Sequence, residues 1–272
     1  MVDETVGMLN DPVAVKLAED RWWISIADSD LLLWVKGIAY GYRLDVLIDE
    51  PDVSPLAVQG PKADDLMARV FGDAVREIRF FRFGHFDFQG RDMVIARSGY
   101  SKQGGFEIYV AGGDIGMPLW HALMEAGRDL DVRAGCPNGI ERVEGGLLSY
   151  GNDMTAQNTP HEAGLGRFCN TATAIGCIGR DALLRVAKEG PIKQVRAIAI
   201  DSKSLPRCDR PWALMAGTTR VGQVTSAAQS PDFGCGVGIG MVRMTHWDAG
   251  TPLHVVTQDG SYPAVVNDKF WI

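Results

Sequence analysis

Six short segments with the composition of β-strands follow one another after residue 190, and they limit the fold more than any other feature of the chain. Turn residues separate the segments, and no helical pattern interrupts them. Consecutive strands of this kind are typical of a small antiparallel barrel or sandwich. The sequence therefore predicts a C-terminal β-barrel or sandwich domain over residues 191–272. The segments are QVRAIAID, WALMAG, RVGQVTSAAQ, VGIGMV, LHVVT and YPAVV.

The region before this domain, residues 1–190, mixes strands and helices, so the whole chain is predicted to be α+β. Aromatic and β-branched residues mark the candidate strands, which are RWWISIAD (21–28), DVLID (45–49), PLAVQG (55–60), EIRFFRF (77–83), RDMVIARS (91–98) and GFEIYV (105–110). The candidate helices are SDLLLWVKGIAYG with Ser29 as its cap, PKADDLMARVFG, DIGMPLWHALMEAG, IERVEGGLLSYG and RDALLRVAKEG.

The composition argues against several classes of protein. The formal net charge is −7 and no cationic cluster occurs, so we expect no nucleic-acid partner. No apolar run approaches the ~20 residues that cross a bilayer, so we expect no membrane partner. The five cysteines form no C-x-x-C pair and the five histidines lack metal-ligand spacing. We therefore expect no metal site, and a cytoplasmic location.

Glu144, in the stretch EGGLLSYGNDM, is a carboxylate in an apolar setting. On a helix it would share a face with Ile140, Leu147 and Leu148, and that face is expected to point inward. A buried carboxylate is costly unless it accepts hydrogen bonds. Two interpretations remain open: Glu144 binds a ligand, or an internal cation such as Arg142 neutralises it. The two glycines that follow weaken a helix by about 1 kcal/mol each relative to alanine, which predicts close approach of another group.

A glycine-rich loop over residues 98–109 carries a second group of candidates. On the strand that ends it, Glu107 and Tyr109 are predicted to share one face, because side chains alternate along a strand. Tyr100 and Lys102 would lie at the tip of the loop. The loop is either a hairpin with a polar tip or the wall of a ligand site. In the second case the aromatic faces would attract a cation by about 0.5–2 kcal/mol, and Lys102 would meet a carboxylate.

Four motifs, in this order, resemble the tetrahydrofolate-dependent aminomethyltransferases, the family of the glycine-cleavage T-protein. They are GMLNDPVAVKL, ARSGYSKQGGFEIYV, GIERVEGGLLSYGNDMTAQNTPHEAGLG and VGQVTSAAQSP. The stretches SPLAVQGPK, ARSGYSKQGG and WWISIADSDLLLW are most similar to the branch that demethylates dimethylsulfoniopropionate. The resemblance implies a folate-binding, multi-domain clover-leaf fold with a C-terminal antiparallel β-barrel. Family members carry a sizeable segment before GMLNDP, so we expect the first domain to be incomplete in these 272 residues.

The resemblance also implies roles for particular residues. Glu144 would grip the pterin ring, and the two glycines after it would let that flat ring approach. Asp11 would face the reactive centre, with Asn10 beside it where most aminomethyltransferases carry a second aspartate. The loop residues would complete the set: Tyr100 and Glu107 at the folate, and Tyr100, Tyr109 and Lys102 at the methyl donor.

The expected activity is tetrahydrofolate-dependent demethylation of dimethylsulfoniopropionate or a similar small methyl donor, with the methyl group moving to N5 of the folate. The alternatives are aminomethyl transfer of the glycine-cleavage kind, demethylation of another N- or O-methyl donor, and folate binding without catalysis in a chain that lacks the N-terminal segment. The expected partners are a small-molecule methyl donor and, in a homodimer, a second copy of the chain.

Overall fold

The computed structural model of the protein describes residues 1–26, 30–173 and 176–272. The chain packs into two compact units, one made of Met1–Ser29 and Gly139–Ile272 and the other of Asp30–Asn138. The predicted domain boundary at residue 190 was drawn from sequence composition and does not correspond to the boundaries of these two units. The predicted division into domains stays a prediction.

A closed antiparallel barrel of six strands dominates the first unit. The strands are β7 (Lys193–Ile200), β8 (Trp212–Ala216), β9 (Thr219–Gln229), β10 (Gly236–Arg243), β11 (Pro252–Val256) and β12 (Ser261–Val266), in the order β10-β7-β12-β11-β8-β9. Alternate side chains from these strands fill the interior, among them Ile198, Trp212, Leu214 and Val255. The six predicted strands are confirmed, and they form a barrel rather than a sandwich.

The rest of this unit consists of short elements. Strands β1 (Val13–Lys16) and β2 (Trp22–Ser25) form an antiparallel pair, and helices α4 (Gly139–Glu144) and α5 (Arg180–Glu189) follow later in the chain. The predicted helix over IERVEGGLLSYG is wrong beyond Glu144. Gly146 has a φ of +63°, a left-handed conformation that an α-helix does not continue through.

The second unit is built on a four-stranded antiparallel sheet, and two of its three α-helices pack on one face of that sheet. Its strands are β3 (Val53–Gln59), β4 (Phe83–Phe88), β5 (Arg91–Ala96) and β6 (Gly105–Ala111), in the order β3-β6-β5-β4, and its helices are α1 (Leu31–Gly41), α2 (Ala63–Phe71) and α3 (Gly116–Ala126). Leu66 of α2 and Leu119 of α3 pack with Ile95, Phe106 and Ile108 of the sheet. The predicted α+β class is confirmed.

Two predicted strands of this unit are wrong. Residues 45–49 form no strand, and Leu47 is 90% exposed there, so local β-propensity finds no partner strand. Residues 77–82 turn instead of extending, since Phe81 has a φ of +55°, and β4 begins only at Phe83. The predicted cap Ser29 lies outside the described residues; Asp30 accepts a hydrogen bond from the backbone N–H of Leu33. Within the described ranges, no helix has both the length and the hydropathy to span a membrane.

Candidate active site

The first unit packs the segment that carries Asn10 and Asp11 against the stretch that follows Glu144. Met8 and Met154 are buried in one cluster. The hydroxyl of Tyr150 donates a hydrogen bond to the backbone oxygen of Met8, at 2.8 Å. The motifs GMLNDP and EGGLLSYGNDM, far apart in the sequence, thus meet in one unit.

Asn10 and Asp11 differ in their surroundings. Asn10 is buried, and its Oδ1 accepts a hydrogen bond from the backbone N–H of Asp11 at 2.8 Å. Asp11 itself is exposed, yet partial desolvation of its carboxyl group raises its pKa above the usual value. A raised pKa makes the ionised carboxylate a stronger base than an ordinary aspartate. Asp11 is therefore an accessible group suited to accepting a proton.

Glu144 is the last residue of α4 and is only 3% exposed, so the prediction that it faces inward is confirmed. Its Oε1 is buried and accepts no hydrogen bond from any of the described residues. A buried acceptor without a donor costs roughly 1–3 kcal/mol, and more when it is charged. A ligand with N–H groups would remove that cost, which makes this oxygen a candidate binding position.

Arg142, the cation that could have neutralised Glu144, forms an ion pair with Asp153 in the structure. The Nη1 of Arg142 donates to Oδ2 of Asp153 at 2.7 Å, and the side chain of Asp153 is fully buried. Arg142 also donates to the hydroxyl of Ser226 on β9. The sequence analysis missed Asp153, although this acid lies in the same motif as Arg142 and could have been weighed as its partner.

The space at Gly146 is occupied by the protein itself. A Cβ atom added at this residue would lie 2.5 Å from Cγ of Phe270. The expectation that the glycines after Glu144 leave room for a flat ligand ring is therefore wrong at Gly146, where an aromatic ring of the chain takes the room. The left-handed φ of the residue is a second reason for glycine.

In the second unit, Glu107 and Tyr109 lie on the face of the sheet opposite α2 and α3. Phe106 and Ile108 belong to the helix-covered core, so the intervening residues of β6 point the other way, as predicted. Ala96 is the register partner of Glu107, and the hydroxyl of Ser98 donates to the Glu107 carboxylate. Tyr109 is buried.

The loop between β5 and β6 places Tyr100 and Lys102 at exposed positions, and Lys102 has a left-handed φ of +62°. Gln59, at the end of β3, holds this loop. Its Nε2 donates to the backbone oxygen of Ser98 at 3.0 Å, and its Oε1 accepts from the hydroxyl of Ser101 at 2.7 Å. Gln59 is a second residue that the sequence analysis missed, because its role depends on contacts with a distant loop.

The chain combines a closed C-terminal barrel with a buried Glu144 whose Oε1 no described residue satisfies. Comparison with known proteins shows which family has this fold. The family model described as the GCVT N-terminal domain matches residues 1–173. The model described as the glycine cleavage T-protein C-terminal barrel domain matches residues 193–271. The chain therefore belongs to the glycine cleavage T-protein family, as its motifs predicted.

Within the family, individual relatives differ in similarity. The chain is 61% identical over 270 residues to dimethylsulfoniopropionate demethylase DmdA of Ruegeria pomeroyi, a match that covers 99% of this chain and 73% of the relative. It is 27% identical over 278 residues to an aminomethyltransferase of Clostridium botulinum (strain Okra / Type B1), covering 99% of this chain and 74% of the relative.

A solved structure also resembles this fold. The glycine cleavage system aminomethyltransferase T from Bartonella henselae matches with a TM-score of 0.82 and 24% sequence identity, over 100% of this chain and 74% of that chain. At this identity the match supports the fold alone.

Proposed function

We propose that this protein is a tetrahydrofolate-dependent demethylase that moves a methyl group from dimethylsulfoniopropionate, or a similar small sulfonium acid, to N5 of the folate. The 61% identity to a dimethylsulfoniopropionate demethylase supports the choice of methyl donor. The structural observation that carries the proposal is the buried Oε1 of Glu144, which no described residue satisfies.

The residues present fit a pterin ring. An ionised glutamate is acceptor-only, and two carboxylate oxygens can accept a pair of adjacent N–H groups such as those on the edge of a pterin. Hydrogen bonds to an ionised acceptor are roughly twice as strong as neutral ones. In this proposal Glu144 binds and orients the ring, and tetrahydrofolate supplies the N5 amine that receives the methyl group.

For this reaction the main task of the protein is to position the two reactants. A sulfonium methyl is already activated, because the leaving group is a neutral thioether. One S–CH3 bond breaks with its electron pair staying on sulfur, one N–CH3 bond forms, and one proton leaves the amine. Holding two reactants in line can lower the barrier of such a displacement by about 7–11 kcal/mol. Asp11, with its raised pKa, is proposed to take up the released proton at a carboxylate oxygen.

The roles of the loop residues extend this proposal. Tyr100, at an exposed position, has an aromatic ring suited to a sulfonium cation, and Lys102 is suited to the carboxylate of the donor. The ring of Tyr109 has the same chemistry but is buried in this structure. The assignment of these residues to the donor, and that of Tyr100 and Glu107 to folate, remain predictions from the family resemblance. A homodimer likewise stays a prediction. A cytoplasmic location is part of the proposal, supported by five cysteines that are all free thiols.

The proposal is tested by mixing the purified protein with tetrahydrofolate and dimethylsulfoniopropionate and measuring methyltetrahydrofolate by mass spectrometry. A panel of N-methyl, O-methyl and aminomethyl-lipoyl donors runs in parallel. For the aminomethyl donor the product measured is methylenetetrahydrofolate, because its carbon is transferred as a methylene group and its nitrogen leaves as ammonia. We expect product with the sulfonium donor and little with the others. Product from another donor alone would favour the corresponding alternative. Folate binding without product from any donor would favour a non-catalytic folate-binding protein.

The role of Glu144 has its own test. We expect Glu144→Gln to raise the Kd for tetrahydrofolate about 10- to 100-fold in calorimetry, since a hydrogen bond to a charged group contributes about 1.5–3 kcal/mol. Glu141→Gln is the matched control, because it removes the same charge from the same helix. An unchanged Kd in Glu144→Gln, or an equal loss in both variants, would contradict the assignment.

A further inference from the structure

The turn that carries Glu144 is closed on itself. The backbone N–H of Leu147 donates to the backbone oxygen of Arg142 at 2.9 Å. In return, Nη1 of Arg142 donates to the backbone oxygen of Leu147 at 2.7 Å. These two reciprocal hydrogen bonds join the two ends of the segment 142–147, and Glu144 lies inside the closed segment. The position of Glu144 therefore depends on where the Arg142 guanidinium is held.

The buried carboxylate of Asp153 holds that guanidinium, together with the hydroxyl of Ser226. The Oδ2 of Asp153 accepts from Arg142 at 2.7 Å and from the backbone N–H of Ser149 at 2.9 Å. Its Oδ1 accepts from the hydroxyls of Thr225 and Ser226, at 2.7 and 2.6 Å. Each oxygen of Asp153 thus has two donors. Such a fully satisfied buried network is rigid, and here it ties the closed segment to β9 of the barrel.

A second set of contacts reaches the same segment from the last residues of the chain. The backbone oxygen of Glu144 accepts from the N–H of Trp271 at 2.8 Å. The ring of Phe270 fills the space beside Gly146. Phe270 and Trp271 also pack in one apolar cluster with Val143 of α4. The backbone around Glu144 is thus supported by the last residues of the chain as well as by the Asp153 network.

We propose that Asp153 is a positioning residue for the folate-gripping acid. It fixes the Glu144 turn by holding the Arg142 guanidinium, whose hydrogen bond to the backbone oxygen of Leu147 closes that turn. This inference rests on the proposed function. Binding is tighter when the recognition group is already held in its bound position, because no binding free energy is then lost in ordering that group. Without Asp153, the Arg142 guanidinium would lose its buried carboxylate partner, and the turn that carries Glu144 would be held less firmly.

The test is a double-mutant cycle on the whole protein, with tetrahydrofolate as the probe and its Kd as the readout. We expect Asp153→Asn to raise the Kd about tenfold when Glu144 is present, and by less than about twofold in the Glu144→Gln background. The second effect is small because Asp153 acts only through Glu144. Equal effects in the two backgrounds, or no effect when Glu144 is present, would overturn the inference.

A second variant keeps the test decisive if Asp153→Asn does not fold. Thr225→Val removes one hydroxyl donor from Asp153 and keeps the ion pair with Arg142, so it is expected to give the same pattern with a smaller rise in Kd. Asp129→Asn, which removes an exposed acid of the other unit, is the control and should leave the Kd unchanged. If the unaltered protein fails to bind tetrahydrofolate, the proposed function itself is refuted. If it binds and Glu144→Gln weakens binding, additive effects refute only the role of Asp153.

Discussion

Gly146→Ala should be the most informative single change near the site, because two costs can be separated there. A non-glycine residue at its φ of +63° costs roughly 1–2 kcal/mol. The new methyl group would also stand 2.5 Å from Cγ of Phe270, and such overpacking typically costs about 1–3 kcal/mol. We therefore expect a loss of about 2–5 kcal/mol in the free energy of unfolding of this unit, measured by hydrogen exchange of the amides in β9 and β10.

Two controls separate the costs. Gly151 also has a positive φ, of +86°, but an added Cβ would meet nothing within 4 Å, so Gly151→Ala should show the backbone cost alone. Combining Gly146→Ala with Phe270→Ala should remove the packing cost, so that the penalty of the glycine substitution falls to about 1–2 kcal/mol. An equal loss at Gly146 and Gly151, or no relief from Phe270→Ala, would refute this reasoning. A loss of folate affinity with no loss of stability would instead support the expectation that Gly146 makes room for the folate ring.

Two further predictions concern other parts of the chain. Burial raises the pKa of the Cys208 thiol to about 11, so that near pH 8 only about one molecule in a thousand carries the thiolate. Iodoacetamide should therefore modify the exposed Cys136 well before Cys208 in peptide mass spectrometry, and equal rates would contradict this. Gln59→Ala removes the donor to the backbone oxygen of Ser98 and should speed trypsin cleavage after Lys102 several-fold; an unchanged rate would show that the loop is held by other contacts.

The strands of the barrel were predictable from sequence because each is a short apolar run, and three of the six pairings are local. Strands β8, β9 and β10 are consecutive in both chain and sheet, as are β11 and β12. The other three pairings join strands that are separated in the chain: β7 with β10, β7 with β12, and β8 with β11. The closing order β10-β7-β12 requires contacts between the two ends of the domain, which strand composition does not encode. In the other unit, DVLID has strand composition without a strand to pair with, and it remains an exposed segment.

The inward direction of Glu144 was predicted from an argument that is only partly valid. Helical spacing placed it with Ile140 on one side and Leu148 on the other, but α4 ends at Glu144 itself, so only the first neighbour is on the helix. Glu144 is buried at a turn of the chain, and the last residues of the chain pack against that turn. Those contacts join residues more than a hundred positions apart, such as Gly146 and Phe270, and no local pattern reveals them.

The candidate site depends on which acid forms the ion pair with Arg142. The sequence offers Glu144 two residues away and Asp153 farther along, and proximity in the chain favours the first. The structure favours the second because Asp153 collects three other donors, so the buried ion pair is fully satisfied. Glu144 is then left with a buried oxygen that no described residue satisfies. A folded chain tolerates that cost only if stability is supplied elsewhere, and the hydrogen bonds to Asp153 and the apolar interior of the barrel are contributions of that kind.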